Sequence, residues 1–135
     1  MSTPMEVMLI DDEEIVCKRL KPAIEKIGCE VEAYQDPKAA LQRMGEKKFD
    51  VVVTDVRMDE IDGIQVLEHA KQECPGAKVV IITGYAMMSL AREAMQKGAY
   101  DFISKPFKPD DLRQVIARAG KELGFELNYP LVGEK

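Results

Sequence analysis

Acidic side chains follow two apolar runs of this 135-residue chain, at the points where the runs end. The run VMLI leads into Asp11 and Asp12, and the run FDVVVT leads into Asp55. A carboxylate beside buried apolar residues is costly unless it is paired, bound to a metal or used in chemistry. Carboxylates that lie close together also repel one another, and a divalent cation with oxygen ligands relieves that repulsion. The pattern therefore predicts a Mg²⁺ site.

Two later apolar runs also end in polar residues. The run KVVIIT ends at Thr83, and the run YDFIS leads into Lys105. A lysine ammonium can pair with a phosphoryl oxygen, and a threonine hydroxyl can donate a hydrogen bond to it. Together with a carboxylate nucleophile and a metal, these groups are what in-line phosphoryl transfer to a carboxylate requires.

The elements that must position these residues alternate along the chain. Short apolar runs predict strands at 7–10, 29–34, 49–54, 78–83 and 100–104, and apolar residues at helical spacing follow each of them. Strands separated by helices form a parallel sheet that is covered on both faces, and right-handed crossovers make it doubly wound. The sequence thus predicts an α/β domain with its site at the carboxyl ends of the strands, where the strand order reverses.

Composition narrows the classes of protein to which the chain can belong. Hydrophobic residues make up 46% and charged residues 32%, which fits one compact domain, and the net charge of -5 argues against a general nucleic-acid surface. The three cysteines form no CxxC pair, so we expect free thiols in a reducing cytosol rather than a disulfide or zinc site. We also expect no signal peptide and no membrane span.

Three local patterns carry their own expectations. Pro22 lies within the first helical stripe and should weaken or kink that helix. Asp36 followed by Pro37 is typical of a helix start. The tail from Gly124 to Lys135 has no clear periodicity, so it could be an extension, a linker to another domain or a strap on the surface.

Several segments together resemble the receiver domain of bacterial two-component response regulators. The matching segments are LIDDEE, VVVTDVRM, DG, VVIITGYA and GAYDFISKPF, and the resemblance covers residues 7–123. ITGYA and YDFISKPF are most similar to receivers of NtrC-class activators. The resemblance implies a flavodoxin-like (βα)5 fold with strand order 2-1-3-4-5. It also implies a receiver domain at 5–124, with a tail or linker at 125–135.

The resemblance assigns a role to each candidate site residue. Asp55 would be the phosphoacceptor that attacks a phosphohistidine of a sensor histidine kinase. Asp11, Asp12 and Asp55 would hold Mg²⁺ together with the backbone carbonyl of Arg57. Lys105 would contact the phosphoryl group, through a segment in which the Lys105–Pro106 peptide bond is often cis.

The resemblance also implies a switch and a set of partners. Thr83 would move to the phosphoryl group, and Phe102 would rotate into the vacated space and remodel the surface of the fourth helix, fifth strand and fifth helix. The output would be another domain or an effector protein, and a phosphorylation-dependent homodimer is an option. Direct nucleic-acid binding and membrane binding by this domain are not expected. Its chemistry would be self-phosphotransfer and autodephosphorylation rather than turnover of a substrate, in the cytoplasm.

The chain departs from the family pattern at two positions. Asp59 stands where the family usually has proline, so we expect a more negative and more flexible loop, and the switch aromatic Phe102 is phenylalanine rather than tyrosine. Arg57 and Tyr85 occupy positions that tune the lifetime of the phosphoryl group in the family.

Other functions are left open by the residues alone. A phosphatase of the haloacid dehalogenase type uses the same residue types but needs a DxD motif after its first strand. A flavin-binding protein of similar fold needs a Ser/Thr/Gly-rich loop there. An adaptor that works without phosphorylation is the third alternative. His69 could suggest a phosphohistidine, but it lies one helix away from the acidic cluster, so we expect a packed or solvated histidine.

Overall fold

A computed structural model describes residues 3–58, 60–84 and 88–129 of the chain. Within them, strands and helices alternate from the first strand to the last helix. The strands are β1 (Met5–Ile10), β2 (Cys29–Tyr34), β3 (Val51–Asp55), β4 (Lys78–Thr83) and β5 (Asp101–Ser104); the helices are α1 (Glu14–Glu25), α2 (Pro37–Met44), α3 (Gly63–Glu73), α4 (Met88–Gln96) and α5 (Pro109–Glu122). The predicted alternation of strand and helix is confirmed.

The strands form one parallel sheet in the order β2-β1-β3-β4-β5. The chain moves from β1 to one edge of the sheet and then returns past β1 to β3, so the order reverses between these two strands. This is the predicted doubly wound topology. It places the reversal point between the strands that lead into Asp11 and Asp55.

Two hydrophobic cores cover the two faces of the sheet. Successive residues of β1 point to opposite faces, so Val7 and Leu9 join the core under α1 and α5, whereas Met8 and Ile10 join the core under α2, α3 and α4. Burial on both faces explains why β1, β3 and β4 are nearly continuous apolar runs rather than alternating ones.

Local sequence signals account for several of the helix boundaries. The Asp36 carboxylate accepts a hydrogen bond from the Lys38 amide at 3.0 Å, with Pro37 in the first turn, as the sequence predicts. At the start of α3, Asp62 and Gln65 cap each other's backbone amides at 2.9 Å. Gly28, with a φ of 99°, ends the turn after α1.

Pro22 disturbs α1 less than the sequence predicts. The helix runs without a break from Glu14 to Glu25, with Pro22 inside it. Pro22 lies on the exposed side of α1. The carbonyl that loses its amide partner there is therefore close to water, which lowers the cost of proline inside a helix.

The described part of the tail lies against one of the two hydrophobic cores. After α5, the described tail residues Phe125, Leu127 and Tyr129 pack against the core under α1 and α5. Of the three roles left open for the tail, a surface strap is the one that these contacts fit.

Among the described helices, none is long and apolar enough to cross a bilayer.

Candidate functional site

The two central strands bring the acidic residues to the same level of the sheet. Ile10 of β1 pairs with Thr54 of β3, so the next residues along, Asp11 and Asp55, lie side by side. The backbone ladder continues past both strands. The Asp11 amide donates to the carbonyl of Tyr34 at 3.0 Å, and the Val56 amide donates to the carbonyl of Ile82 at 2.8 Å. Hydrogen-bonded backbone therefore fixes the position of both carboxylates.

Three carboxylates form a cluster at this edge. One carboxylate oxygen from each of Asp11, Asp12 and Asp55 lies within 4.8 Å of the other two. Asp11 is fully buried, Asp55 is buried with 7% exposure, and Asp12 is exposed. The predicted acidic site is therefore assembled from the ends of β1 and β3, with one carboxylate open to solvent.

Asp11 is the most constrained of the three acids. Its Oδ1 accepts a hydrogen bond from the Glu13 amide at 2.9 Å, whereas its Oδ2 is buried and has no hydrogen-bond donor among the described residues. Burial raises the pKa of Asp11 to about 6; the Glu13 amide opposes this shift and the nearby charge of Asp55 adds to it. A buried carboxylate oxygen that lacks a donor fits a cation ligand.

Among the described residues, Lys105 is a cation that faces this cluster. Its Nζ lies 3.4 Å from Oδ2 of Asp55, 3.8 Å from Oδ2 of Asp11 and 3.8 Å from Oε1 of Glu13. Partial burial lowers the pKa of Lys105, but the attraction of the surrounding carboxylates outweighs it and leaves the pKa above its usual value. One ammonium does not balance the surrounding acids, so the site can accept further positive charge.

Glu13 is a site residue that the sequence does not single out. It directly follows the predicted pair Asp11 and Asp12 in the chain. Its contact with Lys105 depends on how β5 is placed beside β4 and on the turn of the chain after β5. The acidic run DDEE is the only sequence signal that could have indicated it.

The loop after Asp55 is held by close backbone contacts. The Arg57 amide donates to Oδ1 of Asp55 at 3.3 Å, and the Gly63 amide donates to the carbonyl of Val56 at 2.8 Å. A Cβ atom on Gly63 would lie 2.9 Å from Cα of Val56 and 3.0 Å from the carbonyl oxygen of Asp55. Only glycine allows α3 to begin this close to the strand end.

The predicted switch residues lie on neighbouring strands but outside the carboxylate cluster. Thr83 ends β4, is fully buried, and donates its hydroxyl to the carbonyl of Gly84 at 3.0 Å. Phe102 is half-buried on β5, opposite Ile81, and packs against the core under α2, α3 and α4. Asp59 and Tyr85, which the sequence also singles out, lie outside the described residues.

His69 is packed between two helices away from this site. Its Nε2 lies 3.0 Å from the carbonyl of Leu41 on α2. This contact agrees with the expectation of a packed histidine and gives no support to a phosphohistidine role.

A groove opens beside Lys105, between α1 and the segment that follows β5. Its volume is about 380 Å³. Ile15 projects into solvent at its border with 73% exposure, and the Arg19 guanidinium donates to the carbonyl of Phe107 at 3.3 Å across it. The Lys105–Pro106 peptide bond that borders the groove is cis, as the resemblance implies. The lining residues are Glu13, Ile15, Val16, Arg19, Leu20, Lys105, Pro106 and Phe107.

Fold and site together define a parallel α/β domain with an acidic, lysine-containing pocket at its strand-order reversal. The family model of the response regulator receiver domain matches residues 7–117, and the chain belongs to that family. Membership confirms the predicted resemblance. It also sets aside the phosphatase and flavin-binding alternatives.

Known relatives and solved structures agree with this assignment. The regulatory protein AtoC of Escherichia coli K12 is 34% identical over 84% of this chain and 24% of its own length; FixJ of Bradyrhizobium diazoefficiens is 35% identical over 88% of this chain and 58% of its own. AtoC supports the expected likeness to NtrC-class activators. The chain therefore spans about a quarter of the length of AtoC and somewhat more than half that of FixJ.

Two solved structures show the same fold. A response regulator receiver domain protein from Clostridium thermocellum has a TM-score of 0.82 at 30% identity, covering 90% of this chain and 99% of its own. Full-length FixJ has a TM-score of 0.83 at 33% identity, covering 91% of this chain and 61% of its own. These matches confirm the flavodoxin-like (βα)5 architecture.

Proposed function

We propose that this domain receives a phosphoryl group on Asp55 in a Mg²⁺-dependent reaction and relays that modification as a signal. The observation that carries the proposal is the cluster of Asp11, Asp12 and Asp55 facing Lys105 at the strand-order reversal. Family membership supports the same reading. The reaction is a single transfer to the protein itself and not the turnover of a substrate.

Each site residue has a defined part in the transfer. An Asp55 carboxylate oxygen attacks phosphorus, the P–N bond of a phosphohistidine breaks, and the ring nitrogen keeps the electron pair. Lys105 binds a phosphoryl oxygen and stabilises the charge that spreads over these oxygens. Asp11, Asp12, Asp55 and the backbone carbonyl of Arg57 would hold Mg²⁺, which supplies further charge neutralisation of the phosphoryl oxygens when bound.

The signal leaves the site through Thr83 and Phe102. The Thr83 hydroxyl exchanges its bond to the Gly84 carbonyl for one to a phosphoryl oxygen, since a phosphorylated carboxylate offers strong acceptors at that edge. Phe102 then turns into the space that Thr83 leaves. The surface formed by α4, β5 and α5 is thereby remodelled for an output domain or an effector protein, and a homodimer through this surface is one consequence of phosphorylation.

The phosphodonor is proposed to be a sensor histidine kinase that docks at the groove beside Lys105. A donor histidine must approach Asp55 from the open side of the site, and the exposed Ile15 offers apolar contact next to that approach. We place the receiver unit at 5–124 and the tail at 125–135. We also propose that the domain works in the cytoplasm, in keeping with its three free cysteines and its family.

Intact mass measured after incubation with Mg²⁺ and acetyl phosphate tests the proposal. We expect the wild type to gain one phosphoryl group and Asp55→Asn to gain none. Asp50→Asn is a matched control, because Asp50 lies just before β3 at the opposite end of that strand, where its carboxylate accepts from the Glu6 amide at 2.8 Å. This control should be labelled like the wild type. A folded wild-type protein that gains no mass with Mg²⁺ would favour the adaptor that works without phosphorylation.

A further inference from the structure

The segment Gly124–Tyr129, here called the strap, is bound to both helices on one face of the sheet. Phe125, Leu127 and Tyr129 are half-buried, whereas the residues between them are exposed, as in an extended segment with one face inward. The Phe125 amide donates to the carbonyl of Gly120 on α5, and the Asn128 amide donates to the carbonyl of Ile27 after α1, each at 2.9 Å. The strap thus joins the ends of α1 and α5.

The surface beneath the strap is shaped for Leu127. Gly120 lies in the last turn of α5, and glycine is a poorer helix former than alanine. A Cβ atom at that position would lie 2.8 Å from Cδ1 of Leu127 and 3.1 Å from Sδ of Met5. The glycine therefore makes room for the leucine, and this close fit accounts for a residue that α5 alone would disfavour.

The far end of the strap contacts the part of α5 nearest the carboxylate site. Tyr129 lies beside Asp110, and burial together with the Asp110 carboxylate raises the pKa of Tyr129. Asp110 lies in the first turn of α5 and also pairs with Arg113 at 3.2 Å. That first turn directly follows the segment that begins with Lys105.

The strap follows residue 117, where the match to the receiver family model ends. We propose that the strap is a regulatory element of this chain: docked, it stabilises the unphosphorylated form, and phosphorylation of Asp55 weakens its hold on α5. The inference rests on the proposed function. Its physical basis is Lys105, which is held by three carboxylates in the unphosphorylated site and must re-form its contacts around a phosphoryl group. The resulting movement of the segment that begins with Lys105 displaces the first turn of α5. It thereby weakens the contact between that turn and Tyr129.

Amide hydrogen exchange of the full chain tests the coupling, with Mg²⁺ and beryllofluoride as the probe that imitates a phosphorylated aspartate. We expect the strap amides of Phe125 and Asn128 to exchange about two- to tenfold faster when the probe is bound, because a docking contact worth one hydrogen bond is lost. Peptides that contain Asp55 and Lys105 report independently whether the probe binds. If those peptides change and the strap does not, or the strap becomes better protected, the inference is wrong while the proposed function stands. If those peptides do not change either, both are wrong.

Coupling between strap docking and probe binding must act in both directions, which provides a second test. A contact that favours the unphosphorylated form must weaken probe binding, so Tyr129→Phe should lower the half-saturating probe concentration by about two- to fivefold. Tyr100→Phe is the matched control, since the Tyr100 hydroxyl also bonds a carboxylate of α5, Glu122, at 2.6 Å, but at the opposite end of the helix. We expect no change in that control. An equal effect of both substitutions would mean that any loosening of α5 suffices and would overturn the role of the strap.

Discussion

Replacement of Asp11 by asparagine should make the metal-free protein more stable at neutral pH. Asp11 is fully buried, its Oδ2 lacks a hydrogen-bond donor among the described residues, and the charge of Asp55 is close by. Asparagine keeps the shape of the side chain and an oxygen that can accept from the Glu13 amide, but it removes the buried charge. The substitution therefore isolates the cost of ionising Asp11 in the folded protein.

The pKa of Asp11 gives the size and the pH dependence of this effect. Its pKa rises from 3.8 to about 6 on folding, so the folded protein binds the proton more tightly than the unfolded chain does. Ionisation therefore destabilises the fold progressively as the pH rises from about 4 to above 6. At about 1.4 kcal/mol per pKa unit, the full cost is about 3 kcal/mol above pH 7, and it falls to about 1 kcal/mol near pH 4.5.

Urea unfolding in EDTA, at about pH 7.5 and about pH 4.5, measures both values. Asp12→Asn serves as the comparison because Asp12 belongs to the same cluster but is exposed, and we expect a smaller gain from it. Adding Mg²⁺ should stabilise the wild type and leave Asp11→Asn nearly unchanged, because a ligand stabilises only the form that binds it. A variant less stable than the wild type at neutral pH, or an equal gain at both pH values, would refute the reasoning about Asp11.

Further substitutions test separate parts of the molecule. Gly63→Ala should destabilise the fold by about 1–3 kcal/mol in urea unfolding, because the added Cβ meets the backbone of the strand-end loop. Ile24→Ala removes a fully buried side chain of α1 and should cost about 2–5 kcal/mol in the same measurement. Lys105→Met should slow labelling by acetyl phosphate about a hundredfold, followed by mass over time, while calorimetry still detects Mg²⁺. Leu127→Ala should release the strap and speed exchange at the Asn128 amide in the absence of any phosphoryl group.

Much of the fold could be predicted because its signals are local and agree with one another. The run Lys78–Thr83 is a strand with the bounds that the sequence predicts, since a central parallel strand is apolar throughout. The helix cap at Asp36 is equally local. Parallel topology then brings Asp11 and Asp55 together, because the carboxyl ends of adjacent parallel strands share one edge of the sheet.

The features that escaped prediction depend on contacts between distant segments. Glu13 reaches Lys105 only because β5 lies on the same sheet as β1, with β3 and β4 between them. Residues 125–129, Phe-Glu-Leu-Asn-Tyr, do alternate apolar and polar, but five residues are too few to separate a strap from a linker without knowing the surface beneath them. Pro22 is a local signal that predicts too strong an effect on α1. Whether proline breaks a helix depends on which side of the helix faces water, and that side is set by the rest of the fold.

Stability and chemistry make opposite demands on the carboxylate cluster. An apolar or amide side chain at position 11 would suit the fold better, since the ionised carboxylate there is buried without a second donor. The same lack of a donor leaves Oδ2 of Asp11 open to a cation, and the excess negative charge around Lys105 favours binding of that cation. The stability gained in Asp11→Asn and the Mg²⁺ affinity lost in that variant should therefore have one origin. The charge of Lys105 does not balance these acids, so the cluster favours metal binding and phosphoryl transfer. A less charged strand edge would make the fold more stable but would not favour that chemistry.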